Sequence, residues 1–64
     1  MTNPATVFLE AKNVTDVYLS EGLGAAFRYA DSLSPELLVV CNAVVIALDR
    51  QAVALRIKEV ISQV

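Results

Sequence analysis

The longest hydrophobic pattern in the chain lies in its C-terminal half and follows Ser34-Pro35. Two series of mostly apolar residues there step by three and four, which places them on nearly opposite faces of one helix. A single amphipathic surface helix needs only one such series. The first series comprises Leu38, Cys41, Val45, Leu48, Ala52 and Leu55; the second comprises Val39, Ala43, Ile46, Arg50, Val53, Ile57, Val60 and Val64.

The start of this helix is marked by three adjacent residues. Ser34 suits the N-cap, where its hydroxyl can accept from a backbone N–H of the first turn. Pro35 suits the first helical position, and Glu36 suits the positive end of the helix dipole. The β-branched residues that follow would also suit a buried strand. The start signal, the absence of any later Gly or Pro and the periodicity together favour a helix.

The two series cannot both be covered by the rest of so short a chain. A helix from residue 35 to about 63 is roughly 43 Å long, and the preceding residues can cover one of its faces. An apolar strip of several hundred Å² is rarely left in water by a soluble monomer. We therefore predict that the second series, from Val39 to Val64, is an interface. The chain is expected to be an obligate oligomer or a subunit that folds on a partner.

The N-terminal half is also predicted to be helical. Asn3-Pro4 repeats the pattern of a cap followed by proline, and one apolar stripe comprises Val7, Ala11, Val14 and Tyr18. The poor helix formers of residues 13–16 allow a break there, with Thr15 or Asp16 as a new cap. Gly22 and Gly24 indicate a helix end or a kink. A phosphate-binding loop is the weaker interpretation, because a lone G-x-G lacks the other residues of such motifs.

These elements predict a single all-α domain over residues 1–64 that assembles into an oligomeric helical bundle. If the glycines only kink the first half, residues 4–32 and 35–63 form a helical hairpin. If they break it, two short helices pack on one long helix as a small three-helix unit.

Composition strengthens the expectation of shared burial and excludes some classes of partner. Apolar residues make up 56% of the chain, above the usual value of roughly 45–50%. Five basic residues are scattered and the net charge is -2, so no basic face for nucleic acid is expected. The uncharged run 37–48 is shorter than the roughly 20 residues of a membrane span. No signal peptide is recognised, which predicts a cytoplasmic protein or export without a cleaved signal.

The sequence offers little catalytic or metal-binding chemistry. It contains no His, the commonest general base and metal ligand. Cys41 lies on an apolar stripe, where burial would raise the pKa of its thiol and make it inert. The carboxylates are spread singly and are interpreted as surface charges. We therefore expect no catalytic, cofactor-binding or metal-binding residues, and no enzyme.

Polar residues in the long helix carry the most specific hypothesis. The two candidates are Asn42 and Arg50, of which Arg50 interrupts the second apolar series. Polar residues at such positions can fix the register of an assembly, here by pairing of Arg50 with an acidic residue of the neighbouring chain. The alternative is that the Arg50 stem lies on the stripe with its charged end in water. The expected function is a homo-oligomer or adaptor that presents a helical surface. The alternatives are a small chaperone that covers a helix of another protein, and a subunit of a filament or shell.

Overall fold

The computed structural model describes residues 3–63 and contains no strand among them. It consists of the helices α1, Pro4–Glu21; α2, Leu23–Asp31; and α3, Pro35–Ser62. The all-α prediction is confirmed. Of its two architectures, the three-helix unit is present and the hairpin is wrong, because the first half is divided at Gly22. Val64, the last residue of the predicted interface, lies outside the described residues.

Helix α1 is continuous through the segment where a break was allowed. Asn3 caps it, its Oδ1 accepting from the backbone N–H of Ala5 at 2.8 Å. Thr15 donates its hydroxyl to the carbonyl of Ala11 at 2.8 Å, one turn back. The side chain of Asn13 donates to Glu10 at 3.1 Å. These polar side chains are therefore accommodated on the helix, and burial of the neighbouring Val14 favours its continuation.

Gly22 separates α1 from α2 through its backbone conformation. Its φ is 96° and its ψ is -179°, a region that is essentially restricted to glycine. Its N–H donates to the carbonyl of Tyr18 at 3.0 Å, and its own carbonyl accepts from Ala26 at 3.1 Å. The residue thus ends one helix and begins the next without a longer loop.

The start of α3 is at Pro35 as predicted, but the capping contact differs. Ser34 has the extended backbone of an N-cap, yet its side chain makes no capping hydrogen bond. The first helical bond instead runs from the N–H of Leu38 to the carbonyl of Ser34 at 2.8 Å. Fixed backbone geometry at Pro35 therefore marks this start without help from the Ser34 hydroxyl.

Helices α1 and α3 run parallel. Helix α2 runs in the opposite direction, from the end of α1 back to the start of α3. The thiol of Cys41 contacts the carbonyl of Glu10 at 3.6 Å, and the hydroxyl of Tyr18 donates to Asp49 at 3.4 Å. Both contacts join residues that are 31 apart in sequence. With this constant offset, the end of α1 at Glu21 lies beside residue 52 of α3. Residues 53–62, about 15 Å of helix, project beyond α1, and we name this segment the overhang.

The core lies where all three helices meet and is built from small side chains. Val14 and Val45 are completely buried, as are two alanines of α2, which allow its backbone to approach the other helices closely. The buried residues are Val14, Ala26, Ala30, Cys41 and Val45, with Val17, Tyr18, Phe27, Tyr29, Leu33, Leu38 and Val44 packed around them. The first apolar series of α3 therefore faces the core as predicted, up to Ala52.

The resulting shape is long and exposes more surface than a compact chain of this mass. The accessible surface is 4755 Å², whereas a compact monomer of 6.9 kDa is expected to expose about 4,000 Å². The radius of gyration is 13.8 Å, against about 11 Å for a compact domain of 64 residues. The projection of α3 accounts for this elongation.

Helix α3 is also long and apolar enough to cross a membrane, judged by length and composition alone. Its most apolar 18-residue window has a mean hydropathy of 1.8, and 17% of that window is buried. Any window of this length within α3 extends past the uncharged run 37–48 and includes Asp49 and Arg50. Core helices of soluble proteins can be equally long and apolar, but they are mostly buried, unlike this window.

Replacing Gly22 by alanine is expected to destabilise the fold, whereas the same change at Gly24 is not. Apart from its chain neighbours, a methyl group added at Gly22 would have no atom within 4 Å, so the cost of roughly 1–3 kcal/mol comes from the backbone conformation. At Gly24 the added methyl makes ordinary contact with the end of Arg28 at 3.4 Å, and helix propensity favours alanine by up to about 1 kcal/mol. Urea unfolding of both variants, followed by circular dichroism, measures the difference; equal stabilities would contradict this account of Gly22.

Candidate interaction surface

The second apolar series of α3 forms an exposed surface, which we name the outer stripe: Val39, Ala43, Ile46, Arg50, Val53, Ile57 and Val60. These side chains share one face of the helix, about 130° around its axis from the core-facing series. Val39 is 69% exposed, Ile46 51% and Val60 61%. Neither α1 nor α2 covers this face, so the predicted interface residues between positions 39 and 60 are all accessible.

On the overhang the outer stripe forms a shallow apolar groove. Its lining residues are Val53, Arg56, Ile57, Val60 and Ile61. The side of the overhang that continues the core-facing series becomes polar at Glu59 and Ser62. Beyond the end of α1, these polar side chains can therefore face water on the core-facing side of α3. The overhang is therefore apolar chiefly on the face that leads away from the three-helix body.

The spacing within the outer stripe is a strict heptad repeat. Its members alternate steps of four and three from Val39 to Val60, the pattern of the seam positions a and d of a coiled coil. Ala43, Arg50 and Ile57 then take position a, and Ile46, Val53 and Val60 take position d. A heptad repeat keeps one stripe facing a partner helix over many turns. The stripe is therefore suited to a helix running along it.

Two charged residues lie at the midpoint of α3. Asp49 is half-buried at the edge of the outer stripe and accepts from Tyr18 at 3.4 Å. Arg50 is exposed on the stripe itself. The structure therefore places Arg50 where both sequence interpretations need it, among apolar seam residues and accessible to water.

Asn42 is the other polar residue singled out on α3, and it borders the outer stripe. It is half-buried, and its Oδ1 is covered and has no hydrogen-bond partner among the described residues. A buried polar atom without a partner is costly, so it calls for an explanation. Because this atom is already covered within the single chain, a partner on the stripe can reach it only after rotation of the side-chain amide.

The most polar internal cluster centres on Glu10, which sequence reasoning treated as a surface charge. Its carboxylate accepts from Tyr29 at 3.0 Å and from Asn13 at 3.1 Å, so it links α1 to α2. Its backbone carbonyl accepts from the thiol of Cys41 on α3. No spacing rule connects residues 10, 29 and 41, because they meet only after three helices have packed.

This cluster joins the three helices through side-chain contacts. Cys41 is buried, and burial, followed by the charge of Glu10, raises the pKa of its thiol. A thiol with a raised pKa is a poor nucleophile at neutral pH. Across residues 3–63, no group of three or more potential metal ligands is close enough to hold a metal ion.

Exposed apolar side chains on α1 and α2 do not form a second continuous surface. Leu23 of α2 is only 38% exposed; on α1, Phe8 and Leu9 are 76% and 53% exposed near the start of the helix, and Leu19 is 74% exposed near its end. The exposed charges of Lys12 and Asp16 lie between them. Single exposed apolar residues of this kind are common on protein surfaces, so α3 carries the extended candidate site.

The hydroxyl of Tyr29 is expected to ionise at a higher pH in the folded chain than in the unfolded one. Burial, followed by its hydrogen bond to Glu10, raises the pKa of Tyr29 above 10.0. Its contribution to stability is therefore complete below about pH 10 and is lost as pH rises through the folded-state pKa. Tyrosinate absorbance of a Tyr18→Phe variant, titrated with and without urea, reports Tyr29 alone. Adding Glu10→Gln should lower the folded midpoint; identical midpoints with and without urea would contradict the cluster.

No protein-family model matches this chain, and no curated protein or solved structure matches it either. The functional interpretation therefore comes from the geometry of the chain itself. Its leading feature is the outer stripe, an accessible heptad surface that continues onto the overhang.

Proposed function

We propose that the protein is a small, non-enzymatic assembly subunit whose outer stripe binds a second copy of the same chain. The observation that carries the proposal is the exposure of this stripe over residues 39–60 of one long helix. Burying apolar surface is the main favourable term in association. A row of Val and Ile side chains at coiled-coil spacing supplies that surface in the form that a helix can cover.

The excess surface of the chain is of the size that a dimer interface needs. The chain exposes about 750 Å² more than a compact monomer of its mass. A stable interface of ordinary size buries about 800 Å² on each partner. The exposed surface in excess of a compact monomer is therefore large enough to supply an interface of this size.

The charges on α3 favour a protein partner over a lipid bilayer. Asp49 and Arg50 lie at the midpoint of the helix, which would place both near the centre of a membrane if α3 crossed it. Charged groups at that depth are costly. In addition, α1 and α2 pack along the N-terminal half of α3 and carry exposed charges such as Lys12 and Asp16. A protein interface in water leaves these charged groups hydrated, whereas the interior of a bilayer does not.

Replacing Ile57 by aspartate is expected to weaken self-association by more than about 100-fold. Ile57 lies in the groove of the outer stripe, and each dimer would lose two buried side chains at roughly 1.5–3 kcal/mol each. Sedimentation equilibrium over a range of protein concentrations measures the effect. The core of three helices lies N-terminal to residue 53, so helicity should largely persist.

Leu55→Asp provides a closely matched control. Leu55 and Ile57 are both 55% exposed on the overhang, have the same number of side-chain atoms and would gain the same charge. Leu55, however, lies about 160° around the helix from Ile57. The variant is expected to associate as the unmodified chain does. Equal effects of the two substitutions, or a chain that is monomeric before either is made, would refute the proposed function.

A further inference from the structure

We propose that two copies pair antiparallel along α3, in the one register that places Asp49 of each chain beside Arg56 of the other. In this register residue i on the outer stripe of one chain lies opposite residue 103 - i on the outer stripe of the second copy. This inference rests on the proposed self-association and adds its direction, its register and the charges that select them.

The register aligns the heptad positions of the outer stripe from Ala43 to Val60. In an antiparallel pair, a position a of one helix faces a position d of the other. Ile46 then faces Ile57 of the second copy, and Ala43 faces Val60. Near the two-fold axis, Arg50 faces Val53. The part of one stripe from Ala43 to Arg50 thus covers the overhang of the other copy.

The groove on the overhang has the arrangement that such packing requires. Val53, Arg56, Ile57 and Val60 are spaced at i, i+3, i+4 and i+7 and line the groove together. Four residues with this spacing form the hole that receives one side chain of a facing helix. In the proposed register the side chain entering that hole is Ile46 of the second copy, which is 51% exposed in the single chain.

Asp49 and Arg56 both occupy position g, beside the seam, and g positions face each other in an antiparallel pair. The two-fold axis generates the Asp49–Arg56 pair twice. Arg56 is exposed on the overhang. Asp49 already accepts from Tyr18 through Oδ1, but a carboxylate has two oxygens with about four acceptor positions. It can therefore accept from Arg56 while the bond to Tyr18 holds it at the edge of the stripe.

The next pair of g positions also matches in chemistry. Asn42 lies beside Gln63 of the second copy, so two amides meet at each end of the interface. Asn42 is half-buried with one atom lacking a partner, and Gln63 is exposed. On the other side of the seam, Ala47 lies beside Ala54 of the second copy, where small side chains permit close approach of the helices.

Neighbouring registers bring like charges together. A shift by one heptad toward the N-terminus places Asp49 opposite Asp49 of the second copy, and the opposite shift places Arg56 opposite Arg56. A parallel pair would align Arg50 with Arg50 in the same layer of the seam. Unfavourable contacts in competing arrangements are how charged residues specify one pairing.

Arg50 fits the antiparallel pair without a partner carboxylate. The two Arg50 side chains are offset by three residues, about 4.5 Å along the helix axis. Each stem can lie on the seam with its guanidinium in water near the axis. The core-facing series, on which each three-helix body packs, lies about 130° around α3 from the outer stripe, so the stripe itself is uncovered.

Mixing two oppositely charged variants tests the register directly. Arg56→Asp alone places Asp49 opposite an aspartate twice, and Asp49→Arg alone places Arg56 opposite an arginine twice. Each variant by itself is expected to dimerise roughly tenfold more weakly at low salt than the unmodified chain. An equimolar mixture restores both pairs and should dimerise as the unmodified chain does. Sedimentation equilibrium of each sample and of the mixture measures this; a mixture no stronger than its components would overturn the register.

Cross-linking gives an independent test that does not depend on charge. Chains carrying Ile46→Cys and chains carrying Ile57→Cys are treated with a short bismaleimide, separately and mixed. Native Cys41 is buried, and the unmodified chain treated in the same way shows whether this thiol contributes any cross-link. Antiparallel pairing predicts a covalent dimer chiefly in the mixture, whereas parallel pairing predicts one in each separate sample.

The outcomes separate the register from the proposed function. Self-association with parallel cross-links, or with no response to charge, overturns the antiparallel register and leaves the assembly subunit in place. A chain that stays monomeric in buffer at every concentration overturns both. Co-sedimentation of such a monomer with phosphatidylcholine vesicles would instead assign the outer stripe to lipid.

Discussion

The difference in length between α1 and α3 is the constraint on which the other features of this structure depend. The two helices run parallel with a constant offset of 31 residues, so the 18 residues of α1 can support α3 only up to about residue 52. A short α2 returns within the same length. Everything beyond that point is a helix held only by its own backbone bonds and by whatever covers the outer stripe. The elongated shape and the overhang follow from this one mismatch.

Periodicity in the sequence was sufficient to predict the elements and the faces of α3. Steps of three and four separated Val45, which is buried, from Ile46, which is half-exposed, and this required no knowledge of the neighbouring helices. The start at Pro35 and the cap at Asn3 are local signals of the same kind. The choice between a kink and a break at Gly22 was not local, because it depends on where α2 packs after the turn.

Contacts between distant residues were beyond the reach of sequence patterns. Glu10 is one of several dispersed carboxylates in the sequence, yet it joins Tyr29 of α2 and lies beside Cys41 of α3. The parallel direction of α1 and α3 was equally hidden, since it requires a short α2 to cross back between them. That direction determines which part of α3 is left uncovered. The heptad outer stripe was visible in the sequence, but its extension past the body was not.

Amide hydrogen exchange at residues 53–62, measured at several protein concentrations, tests the central claim most directly. A helical end without tertiary contacts opens readily and exchanges fast. If a second copy covers the overhang, protection of these amides should increase with concentration, while amides near Val14 and Val45 remain protected throughout. Fast exchange of residues 53–62 at every concentration, beside a protected core, would contradict the claim that the outer stripe is an interface between copies.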